Sequence, residues 1–177
     1  MKNPLVINLM GAPGAGKSTA AAYIFSQLKM AGINAELVTE FAKDKVWEEN
    51  PSPFKDQLYM TAKQEYRQSR CKDKVSVIIT DSPLLLGIYY NKNPELTENF
   101  DKMVLDVFNS YNNVTYFINR VKVYNPVGRH QNEVESDQVA KDLQQLLKKY
   151  KIPFKVFNGD LAGYNLIVEE VLSKLNN

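Results

Sequence analysis

Apolar and polar positions along the chain follow two rhythms. Five short runs, at 5–10, 35–39, 75–80, 114–119 and 154–157, are rich in apolar and β-branched residues. Each leads into a longer stretch with helical spacing of its apolar positions, at 17–31, 54–72, 95–110, 136–150 and 161–175. Short strands alternating with helices are the mark of βαβ units on a mostly parallel sheet. The run "VSVIIT" at 75–80 is almost wholly apolar or β-branched, as a central strand covered on both faces requires. The pattern therefore predicts an α/β domain with a five-stranded, mostly parallel sheet and about five major helices. Two segments, 44–53 and 121–135, fit neither rhythm. Loops of that length in a compact domain are commonly lids or binding elements.

Composition narrows the class without naming a chemistry. The 177 residues suit a single domain spanning 1–177, and no internal repeat or low-complexity tract divides them. Lys and Arg number 22 against 20 Asp and Glu, so no overall basic field announces a nucleic-acid or membrane surface, although a local basic groove remains compatible with that balance. Cys71 is the sole cysteine, which excludes an internal disulfide and a multi-cysteine zinc site and suits a reducing compartment. The first apolar run is too short for a secretory signal, and no segment approaches the roughly 20 apolar residues that span a bilayer. A soluble, cytoplasmic protein without membrane association is expected, and no feature specifies an oligomeric state.

The chemistry begins at "GAPGAGKS", residues 11–18, which satisfies G-x-x-x-x-G-K-[ST] between a predicted strand and a predicted helix. Gly11, Gly14 and Gly16 let consecutive N–H groups turn inward around phosphate oxygens, with Ala12, Pro13 and Ala15 completing the loop. The helix N-terminus adds partial positive charge. Lys17 can reach β- and γ-phosphates, and the Ser18 hydroxyl can ligate Mg²⁺; Thr19 is a secondary contact. The turn is thus read as a cradle for a nucleoside triphosphate, with ATP and Mg²⁺ as the implied ligands.

GTPases, ATP-driven motors and small kinases all use this loop. A GTPase should carry D-x-x-G and a guanine-reading N/T-K-x-D, but "DSPL" at 81–84 lacks the glycine and "NKNP" at 91–94 lacks the aspartate. A motor would usually place Glu beside the Asp that ends a core strand, whereas Ser82 and Pro83 follow Asp81. A kinase needs water excluded and a hydroxyl acceptor positioned, which mobile lids supply. Through "GAPGAGKST", the carboxylates after the second and third strands and an arginine-bearing loop, the chain resembles the P-loop nucleoside and nucleotide kinases. Within them it is most similar to the small ATPase/kinase proteins related to the nicotinamide-riboside kinase domain of NadR, many of them phage-encoded. That resemblance implies a three-layer P-loop kinase fold, with an acceptor region at about 41–73 and a lid at about 121–135. The step after Asp81 departs from the D-R and D-G-F-P-R patterns of thymidylate and adenylate kinases.

Glu40 and Asp81 each follow a predicted strand, so parallel strands should deliver both to the sheet edge that carries the phosphate loop. Asp81 is placed to hold Mg²⁺ or to orient the acceptor. Glu40 resembles the carboxylate that takes or orients the proton of the attacking hydroxyl in nucleoside kinases. Either could instead serve a helix N-terminus. Arg120 and Arg129 can fold over the triphosphate, where a guanidinium stabilises charge on the transferring group; in the family the arginine nearest the strand often stacks on adenine. Either could equally be a solvated loop charge. His130 is read as a lid residue, and Gln131 and Asn132 as contacts to phosphate or acceptor. Asn158, Gly159 and Asp160 resemble the loop that borders adenine, with capping of the last helix as the alternative for Asp160.

The acceptor side offers Trp47, Phe54, Tyr59, Tyr66 and Arg67, aromatics for a planar ring and a guanidinium for an anionic group, against the alternative of plain helix packing. Ser82 is a further substrate contact, and "DSPLLLGIYYN" at 81–91 a pocket floor. Three functions follow: transfer of the γ-phosphoryl group of ATP to a nucleoside-like or modified-base hydroxyl, phosphorylation of hydroxymethylated pyrimidines in DNA itself, or nucleotide hydrolysis in a regulatory, partner-binding module.

Overall fold

The computed structural model describes residues 3–124 and 132–176. Five strands, β1 (Leu5–Met10), β2 (Ala35–Val38), β3 (Val77–Thr80), β4 (Asn112–Asn119) and β5 (Lys155–Asn158), form one sheet in the order β2-β3-β1-β4-β5. Every neighbouring pair is parallel. The helices are α1 (Lys17–Met30), α2 (Phe41–Trp47), α3 (Gln57–Ser69), α4 (Leu86–Tyr90), α5 (Glu98–Asn109), α6 (Glu133–Lys149) and α7 (Leu161–Asn176). This is the α/β, five-stranded parallel architecture that the apolar rhythm predicts, with the sheet wholly rather than mostly parallel.

Strand periodicity explains the three layers. Leu5, Ile7 and Leu9 of β1 point to one face and are sealed there by Ala20, Ala21, Ile24 and Leu28 of α1 and Ile167, Val168 and Val171 of α7. Val6 and Met10 point the other way, Val6 toward Phe100 and Val104 of α5 and Met10 toward Phe108 of α5 and Val139, Leu143 and Leu147 of α6. In α5 the buried residues Phe100, Val104 and Phe108 recur every fourth position, with Leu105 and Val107 packing at the edges of that stripe. Full burial of each such side chain contributes about 1.5–3 kcal/mol.

The differences from the predicted elements lie at their ends, and each has a local cause. The predicted helix 54–72 splits because Asp56 accepts a hydrogen bond from the Tyr59 N–H at 3.0 Å, capping α3 one residue later. A 3-10 turn at Ser52–Lys55 precedes it, with Pro53 in its first positions. Most of 44–53, read as a loop, is therefore α2 and this turn. The helix expected from 136 starts at Glu133, because Asn132 and Glu135 form a reciprocal capping box at 2.9 and 2.7 Å. Asn132 is thus a helix cap rather than a phosphate contact. The helix expected from 95 starts at Glu98, since Asn91 and Asn93 bond the N–H groups of Asn93 and Glu95 in consecutive turns. The apolar run after Asp81 contains the short helix α4.

Register decides what gathers at the sheet's carboxyl edge. Thr80 of β3 lies opposite both Val38 of β2 and Asn8 of β1. Asp81 therefore leaves the sheet at the level where Thr39 and Glu40 leave it, with the phosphate loop beginning at Gly11 beside them. The chain runs outward from β1 to β2, returns to β3, then crosses β1 to reach β4 and β5. That reversal opens the crevice in which open α/β sheets bind ligands. No helix among the described residues is long and apolar enough to cross a membrane.

Candidate active site

Residues 11–16 form the turn between β1 and α1, and glycine is required there for two separate reasons. Gly16, at the N-terminus of α1, has φ 98°, and a Cβ on it would come within 2.5 Å of the Tyr164 hydroxyl. That hydroxyl donates to the Gly16 carbonyl at 3.3 Å, fixing the loop from α7. Burial, chiefly, raises the pKa of Tyr164, with Asp160 adding to it. The Lys17 ammonium lies across the loop and donates to the carbonyls of Gly11 at 2.8 Å and Ala12 at 3.0 Å. Ser18 and Thr19 occupy the exposed first turn of α1. The arrangement supplies a helix N-terminus, a lysine folded over the turn and a hydroxyl beside it, the parts that grip a polyphosphate.

The two carboxylates stand where the register puts them. Asp81 is 5% exposed, and its Oδ1 is buried without a hydrogen-bond partner. It caps no helix, since α4 begins only at Leu86. A buried carboxylate oxygen left unpaired is costly, and a hard divalent cation or its water shell would satisfy it. Among the described residues no three carboxylate, histidine or cysteine side chains form a metal cage. Mg²⁺ requires none, because it is commonly held by one or two protein oxygens together with substrate phosphates. Asp81 and the Ser18 hydroxyl thus fit Mg²⁺ in the donor types they present.

Glu40 occupies the N-cap position of α2 with φ −62° and ψ 123°, yet its side chain makes no cap hydrogen bond. Its pKa is raised, first by burial; Lys17 pulls it down, Asp81 pushes it up and Lys43 pulls it down. Those influences set Glu40 in the electrostatic company of the phosphate-loop lysine and Asp81. Tyr90 of α4 faces the same carboxylate: burial, then the Glu40 charge, push its hydroxyl up to about 12.

On the other side of the loop, a cleft of about 290 Å³ is bounded by Ala12 and Ala15, the end of β4 from Phe117 to Val121, Asp137 and Ala140 of α6, and Asn158. Its walls are apolar near the sheet and polar at the rim, suited to a planar base. Arg120 lines it, but its guanidinium is engaged: it donates to Glu133 at 2.6 Å and Asp137 at 2.5 Å and lies 5.4 Å from the Tyr124 ring centre. Asp160 takes the capping alternative, accepting from the Gly163 N–H at 2.8 Å, so Asn158 rather than Asp160 lines the cleft. Gly159 has no room for a side chain. A Cβ there would stand 2.2 Å from the Ala15 carbonyl oxygen.

The acceptor side is more structural than the sequence suggests. Arg67 pairs with Asp44, lies 5.1 Å from the Phe41 ring centre and donates to the Thr39 carbonyl at 3.4 Å. It is committed to the turn around Glu40 rather than presented to an anion. Tyr59 packs edge-on against Phe41 at 5.8 Å. Trp47 at the end of α2 and Tyr66 of α3 are 73% and 67% exposed, aromatics left open to solvent. Ser82 is buried, and its N–H is held by the Thr80 hydroxyl at 3.1 Å. Arg129, His130 and Gln131 lie outside the described residues, as do residues 125–128 of the predicted lid.

Three residues that the motif reading passed over also shape the site. Ser136, wholly buried in α6, donates to the Pro13 carbonyl at 2.8 Å. Tyr164 holds Gly16, as above. Gln64 of α3, 6% exposed, accepts from the Phe41 N–H at 2.8 Å and donates to the Thr39 carbonyl at 3.3 Å. A buried polar residue in a helix that should be apolar on that face is a usable signal, yet its partner is set by tertiary structure.

Comparison with known proteins agrees with this geometry at the level of fold. A deoxyadenosine kinase from M. mycoides, solved with bound dATP, superposes with a TM-score of 0.59 at 19% identity, over 97% of this chain and 100% of that one. A thymidylate kinase from Ehrlichia chaffeensis gives 0.62 at 16% identity, over 98% and 100%. No curated protein matches the chain in sequence. A family model for an AAA domain, AAA_28, matches residues 6–162, and it takes in the phosphate loop, both carboxylates and the turn after β5. With nucleotide-binding architecture at the sheet edge and a match along most of its length, the chain belongs to this AAA-domain family of P-loop proteins.

Proposed function

We propose that the protein is a kinase that transfers the γ-phosphoryl group of ATP to a hydroxyl of an uncharged, nucleoside-like acceptor. The release of Glu40 from capping carries this reading: a carboxylate that sits at a helix N-terminus but makes no cap bond, and that feels Lys17 and Asp81, is available as a base. In this mechanism Glu40 takes the proton of the acceptor hydroxyl as its oxygen bonds to the γ-phosphorus, and the bond from that phosphorus to the bridging oxygen breaks to release ADP. Lys17, the amides of residues 11–16 and the α1 N-terminus hold the phosphates against the charge that develops. Ser18 and Asp81 would hold Mg²⁺, which supplies charge neutralisation at the β- and γ-phosphates. The cleft of Ala12, Arg120 and Asn158 takes the adenine, and Arg129 is assigned to the transferring group.

The acceptor is placed beyond Glu40, with Trp47 at its mouth and Ser82 beneath. Arg67 is spent on Asp44 and on the Thr39 carbonyl rather than held open for the phosphate of a nucleoside monophosphate. That supports an uncharged acceptor. Incubation with γ-labelled ATP and a panel of nucleosides, nucleoside monophosphates, nicotinamide riboside and hydroxymethylated DNA tests the reading. Label should move to a nucleoside-class small molecule, and Lys17→Ala should abolish both transfer and ATP binding. Label found only as free phosphate overturns the kinase reading in favour of hydrolysis, and label on DNA overturns the choice of acceptor.

A further inference from the structure

We propose that Gln64 is a positioning residue for Glu40: its side-chain amide clamps the peptide groups on either side of Glu40 and so aims the Glu40 carboxylate toward the phosphate loop. This rests on the reading of Glu40 as the base. An N-cap side chain ordinarily reaches the second or third helical N–H, and Glu40 makes no such bond. The first helical N–H, that of Phe41, donates to Gln64 Oε1 at 2.8 Å, from a residue 23 positions away. The same amide donates through Nε2 to the Thr39 carbonyl at 3.3 Å. One buried side chain thus grips the backbone immediately before and immediately after Glu40, and Arg67 adds a second donor to the Thr39 carbonyl. Two bonds on flanking peptide groups restrict the torsions that aim the side chain between them. Neither bond touches Glu40's carboxylate, which therefore stays unpaired by its own helix.

The clamp has a chemical logic. A carboxylate that capped α2 would have its lone pairs on N–H donors, lowering its basicity and fixing it away from a substrate. A neutral amide grips the backbone without adding charge, and its planar pair of donor and acceptor matches the carbonyl and N–H that bracket one residue. Misplacing a base by about 1 Å costs up to about 100-fold in rate.

The test is a double-mutant cycle in the full-length protein, with MgATP and the panel nucleoside that is labelled fastest. Gln64→Leu should lower kcat about tenfold or more while the KM for ATP stays within about twofold, because the phosphate loop is not touched. Combined with Glu40→Gln, the same change should lower kcat less than about twofold further, since no base remains to be aimed. Gln64→Met, which keeps the volume but removes both bonds, should match Gln64→Leu. If Gln64→Leu does not fold, Gln64→Met in both backgrounds carries the same comparison. Equal losses in the two backgrounds, or wild-type kcat in the Gln64 variants, would overturn the positioning role alone. Wild-type turnover of Glu40→Gln by itself would instead overturn the reading of Glu40, and the clamp with it.

Discussion

Gly159→Ala puts a single methyl group between the last strand and the phosphate loop. On the native backbone that carbon stands 2.2 Å from the Ala15 carbonyl oxygen, 2.9 Å from the Asn119 carbonyl oxygen and 3.2 Å from Ile118 Cγ2. The closest ordinary carbon-to-oxygen approach is about 3.3 Å, so the turn and the loop must separate by about 1 Å. Both close oxygens belong to backbone, which cannot swing aside as a side-chain tip can. The separation also strains the Gly159 N–H bond to the Asn119 carbonyl, now 2.8 Å. Overpacking costs about 1–3 kcal/mol and the hydrogen bond about 1 kcal/mol, so a loss near 3 kcal/mol is reasonable. For a chain of this length each kcal/mol moves Tm by about 2–4 °C, giving a fall of roughly 6–12 °C. Displacing Ala15 also distorts the cradle, and a loss of about 1.4 kcal/mol in binding would weaken the Kd for MgATP about tenfold. Thermal melts followed by circular dichroism and titration calorimetry read the two effects. Gly32→Ala is the companion: its φ is 78° with nothing within 4 Å, so it should cost about 1–2 kcal/mol of backbone strain and leave MgATP affinity intact. A Gly159→Ala protein that melts within about 2 °C of wild type and binds MgATP equally well would refute the claim that this turn walls the loop.

Ser136→Ala removes the buried donor to the Pro13 carbonyl and should lower Tm by about 2–4 °C, for about 1 kcal/mol, with a weaker Kd for MgATP; unchanged affinity would show that α6 does not brace the loop. Gly87→Ala would set a Cβ 2.3 Å from Thr61 Oγ1 and 3.3 Å from Thr61 Cβ, so the buried Thr61 side chain must rotate or α3 and α4 must part; a Tm loss is expected in melts, and its absence would show that rotation relieves the contact. Glu40 gives a prediction in pH. Its pKa is raised in the folded protein, mainly by burial, so the folded state binds more protons than the unfolded one as pH passes the ordinary value of 4.5. Stability from this group is full below that pH and is lost as pH rises through the folded-state pKa. Glu40→Gln should therefore melt higher than wild type at neutral pH and converge with it in acid, and identical melting curves across that range would rule out the burial cost.

How much of this was legible in the sequence depended on the distance between cause and effect. The phosphate loop is written in eight consecutive residues, and the strands in continuous apolar runs, so both were readable without a structure. Glu40 and Asp81 were readable as residues at strand ends, because parallel topology alone sends them to one edge. What Glu40 does there was not. Gln64 grips the Phe41 N–H that follows Glu40, and Asp44 pairs with Arg67; each of these two bonds spans 23 positions of sequence. The capping box of Asn132 and Glu135 is different. It was legible three residues apart, and only the weight given to the apolar rhythm from Ser136 onward hid the true helix start.

The phosphate loop itself cannot be understood from its motif. Gly11 is packed so that a Cβ would meet the Ile118 carbonyl at 2.7 Å, Pro13 is held by Ser136, Ala15 abuts Gly159, and Gly16 receives the Tyr164 hydroxyl. Four successive parts of the loop are therefore shaped by β4, α6, the turn after β5 and α7, all from the C-terminal half of the chain. The amides of 11–16 can form a cradle because the neighbouring backbone has nowhere else to go, and preorganisation of this kind is what lets such a site stabilise charge without rearranging. Two of those contacts also shape the cleft beside the loop, since Ala15 and Ile118 are among its walls. A perturbation far from the motif, at Ser136 or Gly159, should thus register as altered nucleotide affinity, whereas a loss of stability at Gly32 should not.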